Sequence, residues 1–192
     1  MPRPVCLKRV VQLLLEIVDI LREKSCDAQL AILKRHSHLT ALVVDRPQVI
    51  AEARRYWATH STSGIERLHF EAGDFLESLP PAQGEKDVYL LSAVLHGFDN
   101  DTCVTILHNL ASACRNHRAR VALLEIVLPE VHADLTGASF DMQMFMGSRG
   151  RERTLTEWKS LLVLSGLMLE DVVGLQSFGN ILVACPAPAA PA

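Results

Sequence analysis

Short runs of β-forming residues alternate with windows of helical period through most of this 192-residue chain, and that alternation restricts the fold more than any single motif does. The strand candidates are ALVVD (41–45), RLHFEAG (67–73), DVYLLS (87–92), RVALLEIVL (120–128), MLEDVVGL (168–175) and NILVAC (180–185). Helical windows lie between them at 27–36, 47–60, 100–117 and 153–167. In the third window, apolar residues at 103, 106, 107, 110 and 114 keep to one helix face. In the fourth, Thr154 and Glu157 have capping-box spacing and Gly166 supplies a stop. Strands alternating with helices predict an α/β fold, an open and mostly parallel sheet with helices on both faces. The last two runs are joined by only a short turn near 176–179, which predicts a terminal antiparallel hairpin.

The length suits one sizeable core, and a single domain over 1–185 is the expectation, followed by a disordered Pro/Ala-rich tail, 186–192. A net charge of −3 asks for neither a nucleic-acid nor a membrane surface, and no apolar run is long enough to span a bilayer. Cys6, Cys26, Cys103, Cys114 and Cys185 are scattered without a C-x-x-C pair, so neither a zinc site nor a disulfide framework is indicated; reduced thiols in a cytoplasmic protein are expected.

In sheets of this kind ligands gather at the carboxyl ends of the strands. Four titratable residues fall there: Asp45 after ALVV, Asp74 after HFEAG, His96 after YLLSAVL, and Glu125 late in VALLEIVL. Taken singly, each has an ordinary structural reading: a turn cap for Asp45 and Asp74, a packed imidazole for His96, an ion pair for Glu125. Their joint placement on one rim favours chemistry. An acid after the second strand suits ribose hydroxyls, a histidine can take a proton from a hydroxyl or phenol, and a carboxylate beside it would hold the ring.

The segments VVDRPQVIAEA (43–53), FEAGDFLESLP (70–80), YLLSAVLHGFDNDTCVTIL (89–107), ALLEIVLPE (122–130), DMQMF (141–145) and GRERTLTEWKSLLVLSGL (150–167) resemble the S-adenosylmethionine-dependent O-methyltransferases of small secondary metabolites, the caffeate and acetylserotonin type. The resemblance implies a Rossmann-like class I methyltransferase fold, with S-adenosylmethionine (AdoMet) as cofactor and a small-molecule hydroxyl as acceptor. It implies that Asp45 meets the ribose, that Asp74 and Phe75 lie against the adenine, and that Asp19 ends the first strand at the cofactor. His96 would be the general base, flanked by Glu125 and Glu152, with Asp141, Met142 and Met144 on the acceptor side and no metal.

The chain departs from that pattern in three places. The family's N-terminal dimerisation domain is absent from the sequence, so a homodimer formed otherwise, or a partner supplying the missing wall, is implied. The family's His-Asp-Trp reads His96-Gly97-Phe98. The glycine-rich loop after the first strand reads Leu21-Arg22-Glu23-Lys24-Ser25, and no glycine precedes Gly64. Glycines allow that backbone to approach a cofactor closely. Residues 8–24 also fit an amphipathic helix as well as they fit a strand at 17–20. Two functions therefore stay open: an O-methyltransferase, and a non-methylating relative that serves as a partner subunit or reuses His96. The absence of any G-x-G-x-x-G counts against a dinucleotide enzyme.

Overall fold

The computed structural model describes residues 28–60, 62–132, 134–175 and 179–188. The two readings of residues 8–24, the candidate loop 21–25 and Asp19 lie outside the described residues. The chain forms two compact units, Met1–Leu79 and Pro80–Ala192.

In the first unit, helix α1 (Ala28–Arg35) precedes strand β1 (Ala41–Asp45), helix α2 (Pro47–Thr59), a 3₁₀ turn (Ile65–Arg67) and strand β2 (Leu68–Ala72). The two strands pair in parallel, from Ala41 opposite Leu68 to Asp45 opposite Ala72. Leu30, Leu33 and Leu68 make the buried centre, with Leu39, Val43, Trp57 and Phe70 packed against it. Pro47 opens α2, where its missing N–H costs no helical hydrogen bond. The end of α1 leaves carbonyls without helical partners, and the Arg67 guanidinium donates to the carbonyls of Leu33, His36 and Leu39.

The second unit holds strands β3 (Val88–Ser92), β4 (Arg120–Leu128), β5 (Arg153–Thr154), β6 (Leu167–Gly174) and β7 (Gly179–Pro186). Helix α3 (Asn100–Cys114) lies between β3 and β4 in sequence, α4 (Leu135–Ser148) follows β4, and α5 (Leu155–Leu164) follows β5. The sheet order is β3-β4-β7-β6, with β5 paired to the end of β4. β3 and β5 run parallel to β4, while β7 is antiparallel to both β4 and β6. The expected parallel strand pairs and the terminal antiparallel hairpin are both present. β4 is central, and residues 121 to 125 are all buried, an apolar run of four followed by Glu125.

The α3 stripe expected at 103, 106, 107, 110 and 114 is buried at every position. The Thr154–Glu157 capping box forms with both of its hydrogen bonds, and Gly166 adopts φ 78° just past α5, a conformation that favours glycine. Helix α4 and strand β5 were not expected. The apolar residues of α4 are spread around the helix and only Gly137 is buried, so no stripe marks it. β5 is too short to leave a pattern. β7 runs to Pro186, and the Ala187 N–H donates to the Gly166 carbonyl, so paired backbone enters the segment expected to be a tail.

Candidate active site

Strand β3 ends in a turn that fixes the position of His96. Ala93 takes φ 53°, a left-handed conformation that costs a non-glycine residue about 1–2 kcal/mol. Its N–H donates to the Leu124 carbonyl of β4, and the next two amides, Val94 and Leu95, donate to Glu125 Oε1 at 3.1 and 2.9 Å. The chain then closes the 3₁₀ turn Leu95–Gly97, which carries His96, before Asp99 caps α3 by accepting from the Thr102 N–H.

The imidazole meets two carboxylates at a single nitrogen. His96 Nδ1 lies 3.1 Å from Glu152 Oε1 and 3.5 Å from Glu125 Oε2, and both carboxylate side chains are fully buried. The structure thus brings together His96, Glu125 and Glu152 as the sequence suggested. The Glu152 hydrogen bond is the main reason that the His96 pKa rises above its ordinary 6.5; burial opposes this and the Glu125 charge adds to it. Burial pushes the Glu125 carboxyl upward, with the His96 charge and the two backbone amides working against it.

The remaining oxygens, Glu125 Oε2 and Glu152 Oε2, are buried without a hydrogen-bond partner. A buried polar atom left in that state costs about 1–3 kcal/mol, a cost that positive charge on His96 would offset. The three residues bring ligand-type atoms within 4.8 Å of one another. The donor set is that of an acid–base cluster, with one imidazole nitrogen between two carboxylates.

The segment 150–153 straps this turn in place. The Arg151 N–H donates to the His96 carbonyl at 2.8 Å, and Arg151 pairs with Glu157. A Cβ on Gly150 would stand 1.9 Å from the His96 carbonyl oxygen. Glycine after a helix usually serves a left-handed stop, yet here Arg149 holds that conformation, at φ 60°, and Gly150 is needed for the close approach. Arg153 is wholly buried and donates to the carbonyls of Leu95 and Phe98 and to Asn100 Oδ1. Sequence reasoning missed Gly150, Arg153 and Asn100. The one local signal was a glycine directly before Arg151-Glu152-Arg153, which reads as an ordinary helix stop.

Asp141, expected to line the acceptor side, accepts the Glu152 N–H on Oδ1 at 2.8 Å and so braces the carboxylate carrier. On α4, Met142 is exposed, as are Leu135, Phe145 and Met146, while Met144 is half-buried. A cleft of about 130 Å³ at the end of β4, lined by Ile126, Leu128, Gly137 and Phe140, includes none of the His96 cluster and is small for an aromatic molecule.

In the first unit, Asp45 is the last residue of β1, and Asp74 follows the parallel strand β2 at the same end. The Gly73 N–H donates to the Asp45 carbonyl and links the two strand ends. Each carboxylate gives one oxygen to a nearby backbone amide: Asp45 accepts from Arg46 at 2.7 Å, and Asp74 from Leu76 at 2.8 Å. The second oxygen of each takes no hydrogen bond among the described residues and is available to a hydroxyl-rich ligand. Phe75 is half-buried beside them.

The O-methyltransferase domain family matches residues 14–168. The phenazine O-methyltransferase PhzM of Lysobacter antibioticus is 31% identical over 156 residues, covering 81% of this chain and 44% of that protein. The O-methyltransferase pgmB of Aspergillus terreus is 27% identical over 161 residues, with the same coverage. Among solved structures, the mitomycin 7-O-methyltransferase MmcR superposes with a TM-score of 0.72 at 28% identity, covering 83% of this chain and 45% of that one. The chain spans less than half the length of these relatives. With the family matched over most of its length, this chain belongs to the O-methyltransferase domain family.

Proposed function

We propose that the chain acts as the catalytic domain of an AdoMet-dependent O-methyltransferase that methylates a hydroxyl or phenol of a small, secondary-metabolite-like molecule, with His96 as general base. One observation carries the reading: the two buried carboxylates both address Nδ1 of His96, and Nε2 makes no hydrogen bond among the described residues. A carboxylate at Nδ1 fixes the tautomer that carries its proton there and leaves the Nε2 lone pair for a substrate proton. As Nε2 takes that proton the imidazole becomes a cation, and the unpaired oxygens of Glu125 and Glu152 stabilise it. Base catalysis of this kind contributes about 10²–10⁴-fold.

The residues described fit a nucleoside cofactor. Asp45 and Asp74 keep one carboxylate oxygen each free at the carboxyl end of their strands, which suits ribose hydroxyls and an adenine edge, with Phe75 beside them. When bound, AdoMet would supply a methyl group activated by a sulfonium. The exposed apolar side chains of α4, Met142 among them, suit contact with an acceptor or with a covering partner such as a second copy. Relatives named for phenazine and mitomycin substrates support the acceptor class.

Calorimetry with S-adenosylhomocysteine (AdoHcy), together with mass spectrometry of a panel of phenols, tests the proposal. His96→Asn should keep AdoHcy binding and lose methyl transfer by about 10²–10⁴-fold. Absence of AdoHcy binding at millimolar ligand would sink the methyltransferase reading and favour a non-methylating relative.

A further inference from the structure

We propose that Arg153 is a positioning residue for the base: its guanidinium clamps the main chain on both sides of His96 and holds the imidazole against Glu152. The inference rests on the reading of His96 as base. Arg153 is 0% exposed and makes no ion pair among the described residues, an unusual condition for arginine. Its donors go instead mainly to carbonyls around the turn that carries His96, with one longer bond to the Arg151 carbonyl at 3.4 Å. Nη1 donates to the Leu95 carbonyl at 3.1 Å and Nη2 to the Phe98 carbonyl at 2.7 Å. Nε donates to Asn100 Oδ1 at 3.1 Å, at the start of α3. The Trp158 ring lies 5.2 Å from the guanidinium carbon and closes the other side. Leu95 and Phe98 bracket His96, so one rigid planar fork spans the 3₁₀ turn. Lysine, with one nitrogen, cannot reproduce that fork.

The groups facing His96 are Glu125 from β4, Glu152 from the segment entering β5, and Arg153 itself. Arg153→Lys keeps the charge that opposes His96 protonation and removes only the fork. A loosened turn would then weaken the Nδ1–Glu152 contact, the main cause of the raised His96 pKa. A mere strut in the core would lose stability and leave that pKa where it was.

The experiment uses the full chain, with the His96 resonance assigned by its absence in His96→Asn. In Arg153→Lys the NMR titration of His96 should move down from its raised position toward 6.5. AdoHcy affinity should be unchanged, and turnover should fall roughly 10–100-fold, the scale of a misplaced catalytic group. An unmoved His96 titration, with only the melting temperature reduced, overturns the proposal. A moved titration with unchanged turnover supports the positioning and refutes His96 as base. If Arg153→Lys does not fold, Asn100→Ala removes one partner of the fork and leaves Arg153 in place. A smaller downward move is expected there, and no move overturns the proposal.

Discussion

Gly150→Ala adds one methyl group at the place where the active-site turn has least room. The added carbon would meet the His96 carbonyl oxygen at 1.9 Å and two Gly97 backbone atoms at 2.8 Å. Carbon–oxygen contacts settle no closer than about 3.3 Å, so the strap and the turn must separate by roughly 1.4 Å (3.3 less 1.9). All three atoms met are backbone, so no side chain can rotate away to make room. The separation also lengthens the 2.8 Å hydrogen bond from the Arg151 N–H to the His96 carbonyl. Overpacking of this kind costs about 1–3 kcal/mol, and each kcal/mol lowers Tm by about 2–4 °C for a chain of this size. The functional loss should exceed the loss of stability, because moving a base by about 1 Å costs on the order of 10²-fold in rate. The control is Gly147→Ala, where the added carbon meets nothing within 4 Å and an exposed helix gains from alanine. Thermal melts, AdoHcy calorimetry and methyl-transfer rates would be measured on both variants. Wild-type turnover and Tm in Gly150→Ala would refute the close-approach argument.

Glu152→Gln removes the main cause of the raised His96 pKa, so the acid limb of kcat/KM, set by deprotonation of the base, should move to lower pH; an unmoved limb counts against the contact. The same change has a signature in stability. A raised folded-state pKa stabilises fully below the unfolded value near 6.5, and that contribution is lost as pH rises through the folded value, so the Tm gap between wild type and Glu152→Gln should be wider below 6.5 than well above it. Asp45→Ala should weaken AdoHcy about 10–100-fold by calorimetry, the worth of a charged hydrogen bond of about 1.5–3 kcal/mol, and unchanged affinity would refute the ribose assignment. Thr154→Ala breaks the capping box of α5 and should cost about 1 kcal/mol, lowering Tm by roughly 2–4 °C; a Tm equal to wild type would show that the cap contributes nothing.

The strands were legible because β4 is buried on both faces and spells an apolar run, and α3 because its stripe has one side to bury. His96 and Glu125 were legible because rim positions follow strand ends, and Glu152 only through the family resemblance. Helix α4 was not, since its apolar residues face outward as well as inward and leave no period to read. Arg153 was less legible still. In Arg151-Glu152-Arg153 it stands among charges that suggest a solvated surface, and the carbonyls that bury it, at Leu95 and Phe98, lie more than fifty residues earlier. No local pattern encodes a partner at that distance.

Arg153 also bears on how basic His96 becomes beside two buried carboxylates. Two negative groups with unpaired oxygens beside one imidazole would be expelled or protonated unless positive charge offsets them, and burial does push Glu125 toward protonation. Arg153 contributes one permanent positive charge, held by carbonyls rather than spent in an ion pair with either acid. The second arrives only when His96 is protonated. That second charge faces Glu125 and Glu152 directly, at 3.5 and 3.1 Å from Nδ1. The two carboxylates favour proton transfer to Nε2, as the proposed base would require, and the fixed arginine charge opposes it, so Arg153 limits how far the His96 pKa rises.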